Sequence, residues 1–87
     1  MNAHAKLGIG QNEILTWCID YIAKALDMPP ASIRSDSEVD EFGLDSVITT
    51  TMVMDMESWL GVEIPLTILF EQRTLKDVAA SVAGRLN

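Results

Sequence analysis

The sequence predicts an all-α fold: a small four-helix bundle, three longer helices plus one short helix, with a long loop between the first and second. Three observations predict it. Apolar residues recur at helical spacing in three stretches, near residues 13–26, 46–60 and 74–86. No stretch reads clearly as a strand. The 87 residues suffice for one small domain, and a hydrophobic fraction of 48% supplies its core.

Residues 1–11 contain Gly8, Gly10 and small or polar side chains, and are expected to form a flexible N-terminal tail. Residues 12–87 then make up the folded domain. His4 lies in the tail with no second His or Cys at ligand spacing, so no metal site is expected. Asn12 is a suitable N-cap for a first helix over 13–26. Leu15, Ile19, Ile22 and Leu26 follow helical spacing, and Ile14, Cys18 and Ala23 broaden the stripe. Cys18 therefore reads as a small buried hydrophobe, and as the only cysteine it can form no intrachain disulfide. Trp17 and Tyr21, four apart, flank the stripe. Pro29-Pro30 stops the helix, because a proline pushes its preceding residue out of the α region.

Residues 27–45 form the long connection. Loops of this length inside a compact domain are usually functional or disordered. Ile33, Val39, Phe42 and Leu44 are spaced as anchors that would pin it to the core, with a short helical turn near 30–34. Asp36, Glu38, Asp40 and Glu41 form an acidic run. A solvated face and attraction for a basic partner weigh equally there.

Glu41-Phe42-Gly43-Leu44-Asp45-Ser46-Val47 joins this loop to the second helix, expected over 46–60. Gly43 permits a sharp turn. Asp45 and Ser46 are both good N-cap residues, so a hydroxyl is displayed where backbone N–H groups suit a phosphate. Thr49, Met52, Val53, Met56 and Leu60 form the core face, bordered by Trp59. Val47, Thr51, Met54 and Ser58 fall on the opposite side, and Ile48 lies between. Gly61 is the expected C-cap. Val62-Glu63-Ile64-Pro65 is an extended connector. Leu66, Ile68, Leu69 and Phe70 suggest a short third helix that plugs the core. Thr74 opens the last helix with Asp77 three residues on, and Leu75, Val78, Ala79, Val82 and Leu86 keep helical spacing.

Several function classes are disfavoured. A formal net charge of −7 opposes nucleic acid and anionic membrane as primary partners and favours proteins with basic patches. No apolar run reaches the length of a membrane span, and the N-terminus lacks the apolar region of a signal peptide, so cytoplasmic residence is expected. A serine nucleophile needs a base. The sole histidine is in the tail, no Cys/His pair or phosphate loop is present, and so small a domain leaves little room for a substrate cleft. No catalytic residue is expected, and the chain is not expected to be an enzyme.

Phe42-Gly43-Leu44-Asp45-Ser46-Val47 resembles the attachment motif of acyl carrier proteins, small domains that hold acyl groups on a phosphopantetheine arm. The resemblance extends to Gly61-Val62-Glu63-Ile64-Pro65 and to Phe70 through Ala79. On residue chemistry alone, Ser46 is an ordinary N-cap worth ~1 kcal/mol; the resemblance reverses that reading. It implies that Ser46 takes phosphopantetheine from coenzyme A through a separate phosphopantetheinyl transferase, and that the arm's thiol carries cargo as a thioester. It implies a partner-facing side made of Asp45, Val47, Ile48, Thr51, Met54 and Glu57. Further partners would be an acyl-loading enzyme and a ketosynthase or other acyl-processing enzymes, with the chain a monomer. Gly43-Leu44-Asp45-Ser46 resembles polyketide carriers more than peptidyl ones, and the second helix lacks the strong acidity of fatty-acid carriers. A free-standing acyl carrier of a polyketide or specialised lipid pathway is therefore expected. An aminoacyl or peptidyl carrier and an unmodified helical interaction module stand as alternatives.

Overall fold

The computed structural model describes residues 8–86. Four α-helices follow one another: α1 (Gln11–Leu26), α2 (Ser46–Leu60), the single-turn α3 (Ile68–Glu71) and α4 (Leu75–Gly84). The long loop between α1 and α2 holds two 3₁₀ turns, Pro30–Ser32 and Val39–Phe42. Among the described residues there is no strand, only an isolated antiparallel bridge between Glu38 and Thr74. This is the expected small bundle.

The helix α1 starts earlier than the sequence suggests. Gly10, not Asn12, is its N-cap. The Glu13 side chain reaches back to accept a hydrogen bond from the Gly10 N–H at 3.3 Å, which fixes the helix start earlier than Asn12. His4 and most of the expected tail lie outside the described residues. The other end also differs. Asp27 adopts a left-handed conformation (φ 54°), its N–H bonds Lys24 O, and Met28 N–H bonds Ala23 O. That is a Schellman stop, reached before Pro29-Pro30 and built on an aspartate where glycine is usual.

The buried centre of α1 is Ile14, Cys18, Ile22 and Ala23. The expected Leu15, Ile19 and Leu26 pack only partly, on the flank. The apolar arc of this helix is wide enough to accept either rotation, and α4, its main packing partner, selects the first. Burial pushes the Cys18 thiol up to about 12, so this cysteine is an inert core side chain. On α2, Thr49, Met52, Val53, Met56 and Leu60 are all buried, as the periodicity predicts. Thr49 donates its hydroxyl to Asp45 O at 2.8 Å, so the one polar residue of that face is satisfied.

The short α3 departs from expectation. Ile68 and Leu69 plug the core, whereas Leu66 and Phe70 are 51% and 66% exposed. One helical turn can aim only part of its surface inward, and here that part is Ile68-Leu69. The long loop is ordered by its anchors: Ile33 and Val39 are buried, and Phe42 and Leu44 pack against the core. It is also latched to the start of α4. Val39 N–H bonds Arg73 O at 2.9 Å, Leu75 N–H bonds Ser37 O at 3.1 Å, and Lys76 N–H bonds Ser35 O at 2.9 Å.

Candidate functional site

The latch fixes where the loop delivers residues 43–46. The second 3₁₀ turn closes on Gly43, which takes φ 58°, a left-handed conformation that a side chain resists. From there Leu44 tucks partly inward and Asp45 becomes the N-cap of α2. The Asp45 carboxylate accepts from Ile48 N–H at 2.8 Å, and its carbonyl accepts from Thr49 N–H at 3.0 Å. Two residues could have capped this helix; the structure gives the job to Asp45. Ser46 is thereby left as the first helical residue, exposed, with its hydroxyl bonded to nothing among the described residues. The N–H groups of Ser46 and Val47 also have no partner there. A free hydroxyl thus stands beside two free donors at the positive end of a fifteen-residue helix.

The expected partner-facing residues do not all share one environment. Asp45, Val47, Thr51 and Met54 are exposed, Val47 at 71% and Met54 at 56%. Ile48 is half-buried. Glu57 is occupied: its carboxylate accepts from Ile64 N–H at 2.8 Å and ties the α2–α3 connector to the helix. It also lies eleven residues from Ser46, about 16 Å along the axis. The other acid of α2, Asp55, accepts from the Tyr21 hydroxyl at 2.9 Å. Both carboxylates of α2 are therefore engaged within the fold, and the outward side from Ser46 to Met54 is neutral.

Three of the four acids of the loop's run are likewise engaged. Asp36 pairs with Arg34 at 3.1 Å, Glu38 with Arg73 at 3.4 Å, and Glu41 accepts from Glu38 N–H at 3.2 Å. The Arg34 guanidinium holds the Asp36 carboxyl below its ordinary range. These pairs are exposed and solvent-screened, so their role is to shape the loop rather than to stabilise it strongly.

Two further features escaped the sequence reading. Phe70 projects beside the loop and lines a hollow of about 220 Å³ with Val39, Gly43, Leu44 and Thr49. Along the other flank, Trp17 stacks on Tyr21 at 5.1 Å and on Trp59 at 5.4 Å, clamping α1 to α2. The four-residue spacing of Trp17 and Tyr21 signalled adjacency, but only the fold supplies Trp59 as the third ring. Among the described residues no group of three or more His, Cys, Asp or Glu side chains could hold a metal ion. No described helix is long and apolar enough to cross a membrane.

Sequence comparison places this bundle in a family. The family model for the phosphopantetheine attachment site matches residues 17–82, so the chain belongs to that carrier family. Its prosthetic group is phosphopantetheine, and the described geometry suits it: an exposed hydroxyl for the ester bond and two free N–H donors for the phosphate. The chain is 26% identical over 77 residues to the acyl carrier protein TtuC of Teredinibacter turnerae, covering 88% of each chain. It is 32% identical over 57 residues, 66% of this chain, to polyketide synthase PksR of Bacillus subtilis, of which it spans 2%. The fold superposes on a free-standing peptidyl carrier protein of Acinetobacter baumannii with a TM-score of 0.82, at 22% identity, covering 90% of this chain and 98% of that one. The chain is thus a carrier protein related to the carrier domains of polyketide synthases.

Proposed function

We propose that this chain is an acyl carrier of a polyketide or specialised lipid pathway, with Ser46 as the attachment residue. The observation that carries this reading is the placement of Ser46. Within a domain of the attachment family, it is the first residue of α2, exposed and released from capping by Asp45. Its Oγ attacks the phosphorus of coenzyme A that bears the pantetheine. The Oγ–P bond forms, the pyrophosphate P–O bond breaks, and adenosine bisphosphate leaves. The serine proton passes to a base on the transferase, because no histidine stands near Ser46 among the described residues. The free N–H groups of Ser46 and Val47, at the positive end of the helix, would hold the phosphodiester. When bound, the arm supplies the thiol that carries acyl groups as thioesters; the chain itself performs no chemistry on them.

The partner surface in this reading is Asp45, Val47, Ile48, Thr51 and Met54. Apart from the Asp45 carboxylate it is uncharged and largely apolar, and suits brief contacts with transferase, loading enzyme and ketosynthase. An arm that swings between bound enzymes raises the effective concentration of its cargo. Cytoplasmic residence follows as part of the proposal, since coenzyme A and its transferase act there.

Intact mass of the chain after reaction with coenzyme A and a broad-range transferase tests the reading. The expected result is one phosphopantetheine increment in the wild type and none in Ser46→Ala. A folded wild type that gains no mass overturns it. The fold is shared with a peptidyl carrier, so the aminoacyl alternative is kept as an outcome. Loading of the holo form by an adenylating enzyme with an amino acid, and by no acyl donor, would establish that alternative.

A further inference from the structure

A second feature lies one residue from the attachment serine. Tyr21, Lys24 and Ala25 of α1 and Val47, Ile48 and Thr51 of α2 line a groove of about 340 Å³. That volume falls at the lower end of small-molecule sites. Trp17 stacks on Trp59, and Tyr21 bonds Asp55, so later residues of α1 stand beside earlier residues of α2. The groove therefore has a direction. Its near end, at Val47 and Ile48, adjoins Ser46. Its far end runs toward Tyr21, whose hydroxyl meets Asp55, and the exposed Lys24 also lines it. Lys24 has no ion-pair partner among the described residues. Tyr21 donates its proton to Asp55, which leaves its oxygen lone pairs free to accept.

We propose that the phosphopantetheine arm grafted on Ser46 rests in this groove between α1 and α2, with its gem-dimethyl carbon against Val47, Ile48 and Ala25. The inference rests on Ser46 being the attachment residue. The first groups of the arm suit the near end of the groove. The gem-dimethyl carbon follows the phosphodiester after a single methylene, so it can reach no farther than the first turn of α2, where the walls are apolar. A hydroxyl, a carbonyl and an amide N–H come next. Among the groove's lining residues, Lys24 offers an ammonium to the carbonyl. Val47 to Thr51 is four residues, about 6 Å along the helix, enough for the pantoyl part and too short for the thiol end. The reactive end stays free to visit enzymes while the root of the arm is held. Exposure of Val47 at 71% in the bare chain is what covering by the arm would relieve.

The experiment is nuclear magnetic resonance of the methyl-labelled chain before and after attachment, with the mass increment at Ser46 confirmed for each sample. The expected result is nuclear Overhauser contacts from the two arm methyls to Ala25, Val47 and Ile48, with shift changes reaching Tyr21 and Thr51. In Ala25→Phe, which fills the groove, those contacts are lost and the shift changes at Tyr21 shrink severalfold. A modified chain whose arm methyls contact nothing, or contact Phe70 and Leu44 on the opposite flank, overturns the groove assignment and leaves the attachment reading standing. A folded chain that takes no increment overturns both.

Discussion

The two principal helix starts after the loop, at α2 and at α4, use the same chemistry and end in opposite states. Asp45 caps α2 by accepting from Ile48 N–H, and Thr74 caps α4 by accepting from Asp77 N–H at 3.2 Å. Past the cap they diverge. At α4 the first two N–H groups are taken by Ser37 O and Ser35 O of the long loop. At α2 the first two, on Ser46 and Val47, are taken by nothing among the described residues. A helix leaves its first donors orphaned whatever its sequence, and what fills them is decided by the surrounding chain. The same loop that closes one helix start ends by presenting the other open. Cap residues alone do not distinguish the two termini; the open donors beside an exposed hydroxyl do.

Amide hydrogen exchange gives the largest test of that contrast. The Leu75 and Lys76 amides are held by the loop, so their exchange requires the latch to open. The Ser46 and Val47 amides need no opening. The former should exchange more slowly than the latter by roughly a hundredfold or more. Equal rates at the two helix starts would mean that the latch is not closed in solution.

Cap substitutions sharpen the contrast at the next scale. Thr74→Ala should cost ~1 kcal/mol of unfolding free energy and leave the phosphopantetheine increment intact. Ser46→Ala should stay within about 0.5 kcal/mol, since the hydroxyl bonds nothing among the described residues, while abolishing the increment. Asp45→Ala should cost ~1 kcal/mol, because Asp45 and not Ser46 holds the Ile48 N–H. Denaturant midpoints of the three variants check this. A Ser46→Ala loss as large as that of Asp45→Ala would show the serine to be the cap.

Much of this was legible in the sequence. The core face of α2 was readable residue by residue, because one strong stripe at helical spacing has a single way to face inward. Ile33 and Val39 were readable as loop anchors, being isolated apolar residues in a polar run. The rotation of α1 was not, since Leu15, Ile19 and Leu26 compete with Ile14, Cys18 and Ile22 and only the position of α4 decides between them. The outward turn of Leu66 and Phe70 was hidden in a helix too short to show a period. The engagement of Glu57 was hidden because its partner is a backbone N–H seven residues away in a connector whose path local sequence does not specify. At the site, Asp45 and Ser46 were legible as cap candidates, but which one caps, and which is left free, is a matter of geometry.

The smallest expected effect concerns the clamp that sets one wall of the groove beside α2. Tyr21 is the only tyrosine, so near-ultraviolet absorbance follows its ionisation alone. Desolvation pushes its hydroxyl up to about 12, and the Asp55 carboxylate adds to the effect by accepting its proton and repelling the phenolate. A raised pKa means that the fold favours the protonated form. The contribution is therefore fully present below the unfolded value near 10 and is lost as pH rises from about 10 through about 12. Because the pair is solvent-screened, Tyr21→Phe should cost less than about 1 kcal/mol at neutral pH. It should also remove this part of the alkaline loss of stability. A native Tyr21 that ionises near 10 would show the Asp55 bond absent in solution, and with it the order that aligns the α1 wall of the groove with the open start of α2.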